Sequence, residues 1–439
     1  MSEANDTTVE SPYDGIAAAD LDPTATGAAR LDEIDSLAPF RDRFHVPKSP
    51  DGSDAGYFVG NSLGLQPIDA RAIVEQELDD WAGLGVEGHF EATRPWYPYH
   101  ENLRSGFAHV VGGLPGEVVA MNSLTANLHL LLMSFFRPEG DRRIILMEDG
   151  AFPSDTYAVH SHVAARGGDP ERDVVRIPTR PGEDLLRLED ILNTIERLGE
   201  RLATVMLGGV NFRTGQFLDL PAITDAAHAV GAMAGFDLAH AAGNVPLALH
   251  DWNVDFAAWC TYKYLNGGPG AVAGAFIHER HATNPDIPRF AGWWGNDPDT
   301  RFRMHLEDTF VPVPTAEAWQ LSNPPILAMA PLIASLDLFQ EAGMPALRAK
   351  SRVLTGFLHA CLREMLPEGS VVVTPGNAEE RGCQLSVRIA DRARERFDAL
   401  APHGIVADFR PPDVVRLAPV PLYNTFADCL RVAEVLRSL

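Results

Sequence analysis

Between residues 117 and 277 the chain alternates short, almost wholly apolar runs with stretches whose apolar residues recur at helical spacing. The runs near 117–121, 143–147, 173–177, 203–208, 232–236, 254–259 and 271–277 read as strands. The intervening 125–136, 154–165, 187–199 and 221–230 read as helices. Such alternation predicts a mainly parallel sheet with helices on both faces, whose ligands gather at the carboxyl ends of the strands. Upstream, 31–44 has a helical pattern, GYFVGNSLGLQP (56–67) is a short strand running into a glycine turn, and Pro67 opens a helix over 67–82. Downstream of 323–325 a long helical stretch runs to about 365. Strands in VVVTP, CQLSVRI, IVADF and VVRLAPV follow, with helices at 391–400 and 425–438. This second region is a compact α/β domain.

At 439 residues the chain exceeds the roughly 250–300 residues at which a single core stops growing. Two domains are expected: a large one over 31–322 and a small one over 323–439. Residues 1–30 are acidic, polar and rich in small side chains, and they read as a disordered tail. Lysine and arginine number 36 against 60 acidic residues, a net charge of −24. That balance argues against nucleic acid as a partner, because phosphate binding needs a basic face. It fits a GC-rich or salt-adapted source as well as an ordinary acidic enzyme. No apolar run reaches the roughly 18 residues that span a bilayer, and the polar N-terminus has no leader pattern, so a cytoplasmic location without membrane contact is expected. Cys260, Cys361, Cys383 and Cys429 are spaced too widely for a zinc pattern and read as buried thiols of a reducing compartment. No metal site is expected. The segment 85–100 (GVEGHFEATRPWYPYH) is too aromatic for a mere connector and reads as a binding loop.

Candidate chemistry concentrates in GFDLAHAAGN (235–244) and AAWCTYKYLNGG (257–268), which set a carboxylate and a lysine at two strand ends. Lysine is scarce: only Lys48, Lys263 and Lys350 occur. Lys48 lies in a polar Pro-rich stretch and Lys350 in an Arg-rich helical pattern, so both read as solvated charges. Lys263 follows one apolar strand and precedes a glycine turn and another, a setting that desolvates the amine as Schiff-base chemistry requires. Asp237, ending its own strand, can hold a pyridine nitrogen protonated, and the pair points to pyridoxal phosphate (PLP). From the pair alone, an ordinary loop carboxylate and a surface lysine explain the segment equally well. MNSLTANLHLLLMSFF (121–136) puts Ser123, Leu124 and Thr125 at a helix N-terminus, a natural phosphate site as well as an ordinary cap. In AFPSDTYA (151–158), Phe152 can cover a planar ring while Ser154 and Asp155 offer polar contacts. The glycines of LNGGPGAVAGAF are interrupted by Pro269 and join two strands, which sets a dinucleotide loop aside.

The blocks GNSLGLQP, MNSLTANLHLLLMSFF, AFPSDTYA, GFDLAHAAGNVPLALHDWNVDFAAWCTYKYLNGG, AGWWGN, SNPPIL, ERGCQL and RLAPVPLYN, in this order from about residue 30 to the C-terminus, resemble the kynureninase family. The resemblance implies PLP fold type I: a large domain with a mainly parallel mixed sheet sandwiched by helices, plus a smaller C-terminal α/β domain. It implies hydrolysis of L-kynurenine or its 3-hydroxy derivative to the matching anthranilate and L-alanine, in tryptophan catabolism and NAD biosynthesis, by a homodimer. Lys263 would be the Schiff-base lysine, Asp237 the partner of the ring nitrogen, and Tyr262 a proton-transfer group. Leu124, Thr125, Phe152, Pro153, Ser154, Asp155, Gly208, His240, Tyr262, Trp293 and Asn323 match cofactor-contacting positions. Arg416 matches the arginine that grips the substrate carboxylate. His89, Ser322 and Asn323 match positions near the substrate ring, in the combination of the animal branch, where the 3-hydroxy substrate is favoured. Gly208 stands where the family often has a hydroxyl residue on the phosphate, and Arg213 and Trp294 where other aromatics are usual. A desulfurase or aminotransferase on the same scaffold, or a catalytically silent PLP-binding regulator, are the competing readings. A desulfurase should carry a cysteine in a mobile loop, and none is evident; retention of Lys263, Asp237 and Arg416 together argues against a silent regulator.

Overall fold

The computed structural model describes residues 11–438 apart from 14, 18, 19 and 307. It forms two compact units. One is built from the chain up to Val59, Ala342–Val372 and the residues from Cys383 on. The other comprises Gly60–Glu341 and Val373–Gly382.

The larger unit is organised by a seven-stranded sheet of β1 (Val118–Ala120), β2 (Ile144–Glu148), β3 (Val174–Ile177), β4 (Leu202–Gly208), β5 (Met233–Asp237), β6 (Phe256–Trp259) and β7 (Gly274–Ile277), in the spatial order β1-β7-β6-β5-β4-β2-β3. The pairs from β3 across to β6 are parallel, and β7 runs antiparallel to both β6 and β1. The apolar runs are continuous because both faces are covered: every residue of β2 and of β6 is buried. Helices α1 (Leu124–Phe135), α2 (Pro153–Ala165), α3 (Leu188–Leu198) and α4 (Leu220–Ala229) fill the crossovers. In α3 the buried Ile191, Ile195 and Leu198 recur at helical spacing. Phe135 of α1 stacks on Phe256 of β6, with ring centres 4.8 Å apart. Gly235 faces Phe256 across the strand pair, and a Cβ there would lie 2.0 Å from the ring, so the sheet needs glycine at that point. The predicted mixed, mainly parallel sheet flanked by helices is therefore the observed one.

In the smaller unit, Val371–Val372, Leu385–Arg388, Val414–Leu417 and Asp408–Arg410 form an antiparallel sheet in that order. Its core includes Leu385, Val387, Val415 and Leu417 together with Leu354 and Leu358 of helix Met344–Met365 and Phe426 and Val432 of helix Phe426–Arg437. Here the structure corrects the reading of residues 1–30 as a tail. Residues 1–10 lie outside the described residues, but Tyr13 is buried with its hydroxyl donating to Asp35 Oδ1 at 2.8 Å, and a helix runs over Ala25–Glu33, capped by Thr24. Asp32 accepts the Phe426 and Ala427 N–H groups at 2.7 and 3.0 Å. Chain from both ends thus builds this unit, and of the expected 323–439 the stretches up to Glu341 and Val373–Gly382 belong to the larger unit instead. The helix expected over 31–44 is a 3-10 turn over Ala38–Arg43, and Pro67 lies in a two-residue strand ahead of helix Ala70–Leu84.

A second correction concerns Lys350. It is buried, 2.7 Å from Asp35 Oδ2, and donates to Pro421 O at 2.6 Å. The Arg-rich pattern hid the burial of most of one helix face, which carries Leu347, Ser351, Leu354 and Leu358 inward with the lysine. Burial lowers its pKa against the opposing pull of Asp35.

At the amino end of β6 the larger unit buries Asp255. Its Oδ2 meets His228 Nε2 at 2.8 Å and the Ala234 N–H at 2.7 Å, while Oδ1 meets His281 Nε2 at 2.6 Å and Arg280 Nη2 at 2.5 Å. Burial opposes ionisation, yet these donors hold the carboxyl well below the usual range. The stability it contributes is full above about pH 4 and is lost only as pH falls through the depressed value. Asp255→Ala would strand four donors, and the expected loss is about 3–5 kcal/mol. A thermal midpoint unchanged in that variant would contradict this account.

Candidate functional site

At the carboxyl edge of the large sheet, β5 ends on Asp237 and β6 runs into the turn that carries Tyr262 and Lys263. Adjacent strands thereby present a carboxylate and an amine at one edge. Asp237 is buried and its Oδ1 accepts the Ala239 N–H at 2.7 Å. Lys263 is half-buried, with Nζ 3.1 Å from Nε2 of the buried His240 and 6.0 Å from the ring centres of Phe152 and Tyr262. The GNSLG turn closes on this loop: the Gly64 N–H donates to Tyr262 O at 2.8 Å, and a Cβ at Gly64 would lie 2.4 Å from Lys263 O. Burial, reinforced by Cys260, raises the Tyr262 hydroxyl well above its ordinary pKa, so it stays protonated at neutral pH.

Two helix N-termini open at the same edge. Ser123 precedes α1 without a side-chain capping bond and no acidic residue lies in the first turn, which leaves the dipole to an outside anion. Thr125 Oγ1 and Ser154 Oγ are 2.9 Å apart and link the first turns of α1 and α2. Pro153 starts α2 and fixes Phe152 ahead of it, where the exposed ring meets Phe212 edge-on at 5.3 Å. Phe212 was not anticipated. Arg213 beside it makes a turn contact, its N–H donating to Asn211 Oδ1 at 3.0 Å.

Acids crowd this edge. Asp155, in the first turn of α2, is buried, and its Oδ1 has no hydrogen-bond partner among the described residues. Burial and then the adjoining Asp237 raise its pKa well above the carboxylate range. Glu148, at the end of β2, is buried with its carboxyl against the Gly208 N–H, 3.2 and 3.4 Å from the two oxygens. Sequence reasoning missed it. The available signal was an apolar strand ending on an acid.

The arrangement suits PLP. A heteroaromatic N–H cation would answer the buried Asp237 and the unpartnered Asp155 Oδ1, Lys263 offers an amine to an aldehyde, and the helix N-termini with Thr125 and Ser154 suit a phosphate. Gly208 offers no hydroxyl, as expected from the sequence.

The remaining candidates lie apart from these contacts. His89 is partly exposed, its Nδ1 2.9 Å from Val86 O, and its ring meets Trp96 at 5.6 Å. Tyr97 of the same loop contacts Trp294 and Phe302, each at 5.4 Å, and Trp293 packs edge-on against Trp294 at 5.0 Å. Arg301 holds this cluster: it lies 5.2 Å from the Tyr97 ring centre and 4.7 Å from that of Trp294, while Nη2 donates to Trp294 O at 2.7 Å. Ser322 and Asn323 are exposed. Arg416 belongs to the smaller unit, where it is buried and its Nε donates to Asp408 Oδ1 at 2.7 Å. Elsewhere in the larger unit His250 and His278 converge on Glu117, whose oxygens already accept the Leu114 and Glu279 N–H groups at 2.8 Å.

Residues 347–436 match the kynureninase C-terminal domain model. The chain is 51% identical over 419 residues to a kynureninase of Koribacter versatilis, covering 95% of this chain and 98% of that one. It is 54% identical over 410 residues to a kynureninase of Myxococcus xanthus, covering 93% and 96%. Among solved structures it is similar to a C-DES variant with glycine covalently linked to its PLP cofactor, with a TM-score of 0.74 at 19% identity over 90% of this chain and 98% of that one. The cysteine desulfurase CsdA from Escherichia coli gives a TM-score of 0.73 at 18% identity, covering 91% and 97%. These two likenesses concern the fold.

Lys263 is the only lysine of the larger unit. Incubation with PLP and reduction with borohydride should therefore label Lys263, and Lys263→Ala should lose the label and the visible absorption. A label recovered elsewhere would refute the assignment.

Proposed function

The chain belongs to the kynureninase family, and from that membership we propose how its own residues divide the reaction. It is a PLP-dependent hydrolase that cleaves kynurenine to an anthranilate and L-alanine. Bound PLP supplies the electron sink for charge developing at the substrate Cα. Lys263 holds the cofactor's aldehyde carbon and moves the Cα proton. Asp237 keeps the proton on the ring nitrogen. His240, 3.1 Å from Nζ, steadies the amine, and Phe152 covers the ring. Leu124 and Thr125 at the start of α1, with Ser154, take the phosphate; Trp293 and Asn323 complete the cofactor's surroundings. Tyr262, protonated at neutral pH, exchanges a proton with the hydrated side-chain ketone.

Arg416 takes the substrate carboxylate. A guanidinium forks onto a carboxylate, and Asp408 on its Nε fixes the plane of the fork. The observation that carries the assignment as a whole is Lys263 against His240 beside the buried Asp237. All four cysteines are free and buried, which supports hydrolysis over a desulfurase reading, where a mobile thiol is needed. The same state of the cysteines supports a cytoplasmic location. No single helix among the described residues is long and apolar enough to cross a membrane. A homodimer is our reading, supported by the exposed aromatic pair Phe90 and Phe302, whose ring centres lie 6.1 Å apart.

Two outcomes test the substrate assignments. Arg416→Ala should raise KM by a hundredfold or so, about 2–3 kcal/mol for a charge-assisted contact, and leave PLP uptake intact; unchanged kinetics would mean that another group holds the carboxylate. For the ring we assign a preference for 3-hydroxykynurenine, because His89, Ser322 and Asn323 can pair with a ring hydroxyl. Leaving such groups unpaired costs about 1–3 kcal/mol, roughly five- to 150-fold in kcat/KM. His89→Phe should erase most of it. Equal kcat/KM for the two substrates in the wild type would defeat the preference, and a preference untouched in His89→Phe would move it to other residues.

A further inference from the structure

Glu148 is a fully buried carboxyl at the working edge of the sheet, and the reaction as assigned above gives it nothing to do. It ends β2, and the neighbouring β4 ends on Gly208, whose own neighbour β5 ends on Asp237. Three strand ends in a row thus carry an acid, a glycine and an acid. The glycine matters. With no side chain at 208 the Glu148 carboxyl settles on the Gly208 N–H, and a Cβ added there would lie 3.1 Å from its Oε1. A hydroxyl residue at 208 would crowd or claim that carboxyl. Asp155 approaches from α2 and adjoins Asp237, whose charge adds to burial in raising the Asp155 pKa.

We propose that Glu148 is a positioning residue of the cofactor site: with Asp155 holding one proton, Glu148 takes up the second that three adjoining buried carboxyls need, which leaves the negative charge on Asp237, where the cofactor's ring nitrogen needs it. The proposal rests on the assignment of Asp237 to that nitrogen. The ionisable groups around Glu148 are Asp237 at the end of β5 and Asp155 in α2, with Lys263 beyond Asp155. Burial is the main cause that lifts the Glu148 carboxyl to about 7; Asp237 adds to it and the Gly208 amide opposes it. Its proton is therefore exchanged within the working range of an enzyme, and the change of charge is felt by Asp237 in a poorly screened interior.

The experiment is a pH titration of the visible absorption of bound PLP in the holoenzyme, run beside PLP affinity of the apoprotein at acid and alkaline pH. Circular dichroism monitors folding. The wild type should show a component near neutrality in addition to that of the lysine-bound cofactor. Glu148→Gln, which keeps the shape and removes the charge, should lose that component and flatten the pH dependence of PLP affinity. Gly208→Ala keeps the backbone N–H but sets a Cβ 3.1 Å from Glu148 Oε1, which crowds the carboxyl off the amide that favours its ionised form, so the component should move to higher pH by about half a unit or more. If Glu148→Gln does not fold, Gly208→Ala decides alone. A neutral component that persists in Glu148→Gln, or a Gly208→Ala titration superimposable on the wild type, overturns the proposal. A wild type that takes up no PLP overturns the Asp237 assignment and the proposal with it; one whose PLP titrates in a single step overturns the proposal alone.

Discussion

Three carboxyls lie buried at one edge of the large sheet, and a protein interior does not hold three negative charges side by side. Glu148, Asp155 and Asp237 come from a strand end, a helix start and a second strand end, so the crowding is a product of the parallel topology. Helix N-termini at the same edge add positive potential, and α1 and α2 both begin there. A ligand with a protonated ring nitrogen at one end and a phosphate at the other answers both demands together. On the assignment proposed above, the cofactor would complete this electrostatic arrangement. Stability and PLP loading are coupled for that reason: a ligand that binds the folded state alone stabilises it in proportion to its occupancy.

Most of this architecture is legible in the sequence because the large sheet is covered on both faces. A doubly buried strand writes itself as an uninterrupted apolar run, and all seven strands of the sheet fall within a few residues of their expected places. Asp237 and Lys263 follow from those runs, since each sits where a run stops. What was not legible depends on partners distant in the chain. Tyr13 and Leu31 are isolated apolar residues in a polar stretch, and nothing local says that they pack with helix Phe426–Arg437. Glu148 looks like any acid after a strand; only the third dimension shows Gly208 beside it and Asp237 beyond. The aromatic loop around His89 was recognisable by composition, yet Arg301, which clamps Tyr97 to Trp294, had no signature in its own neighbourhood.

Lysine shows how burial and chemistry part company. The scarcity argument singled out Lys263 by taking Lys48 and Lys350 as solvated, and for Lys350 that premise fails, since it is the more deeply buried of the two. The conclusion stands on different ground. Lys350 lies against the Asp35 carboxylate and a carbonyl oxygen, and an amine so held spends its charge on the fold. Lys263 meets an imidazole, with aromatic rings 6.0 Å away on two sides, and no carboxylate holds it in an ion pair among the described contacts. The same distinction applies to Arg416, whose Nε is tied to Asp408 in a geometry that orients the guanidinium. For a buried cation the informative question is which acceptors already satisfy it. In this chain that separates the lysine that holds the smaller unit together from the lysine available to an aldehyde.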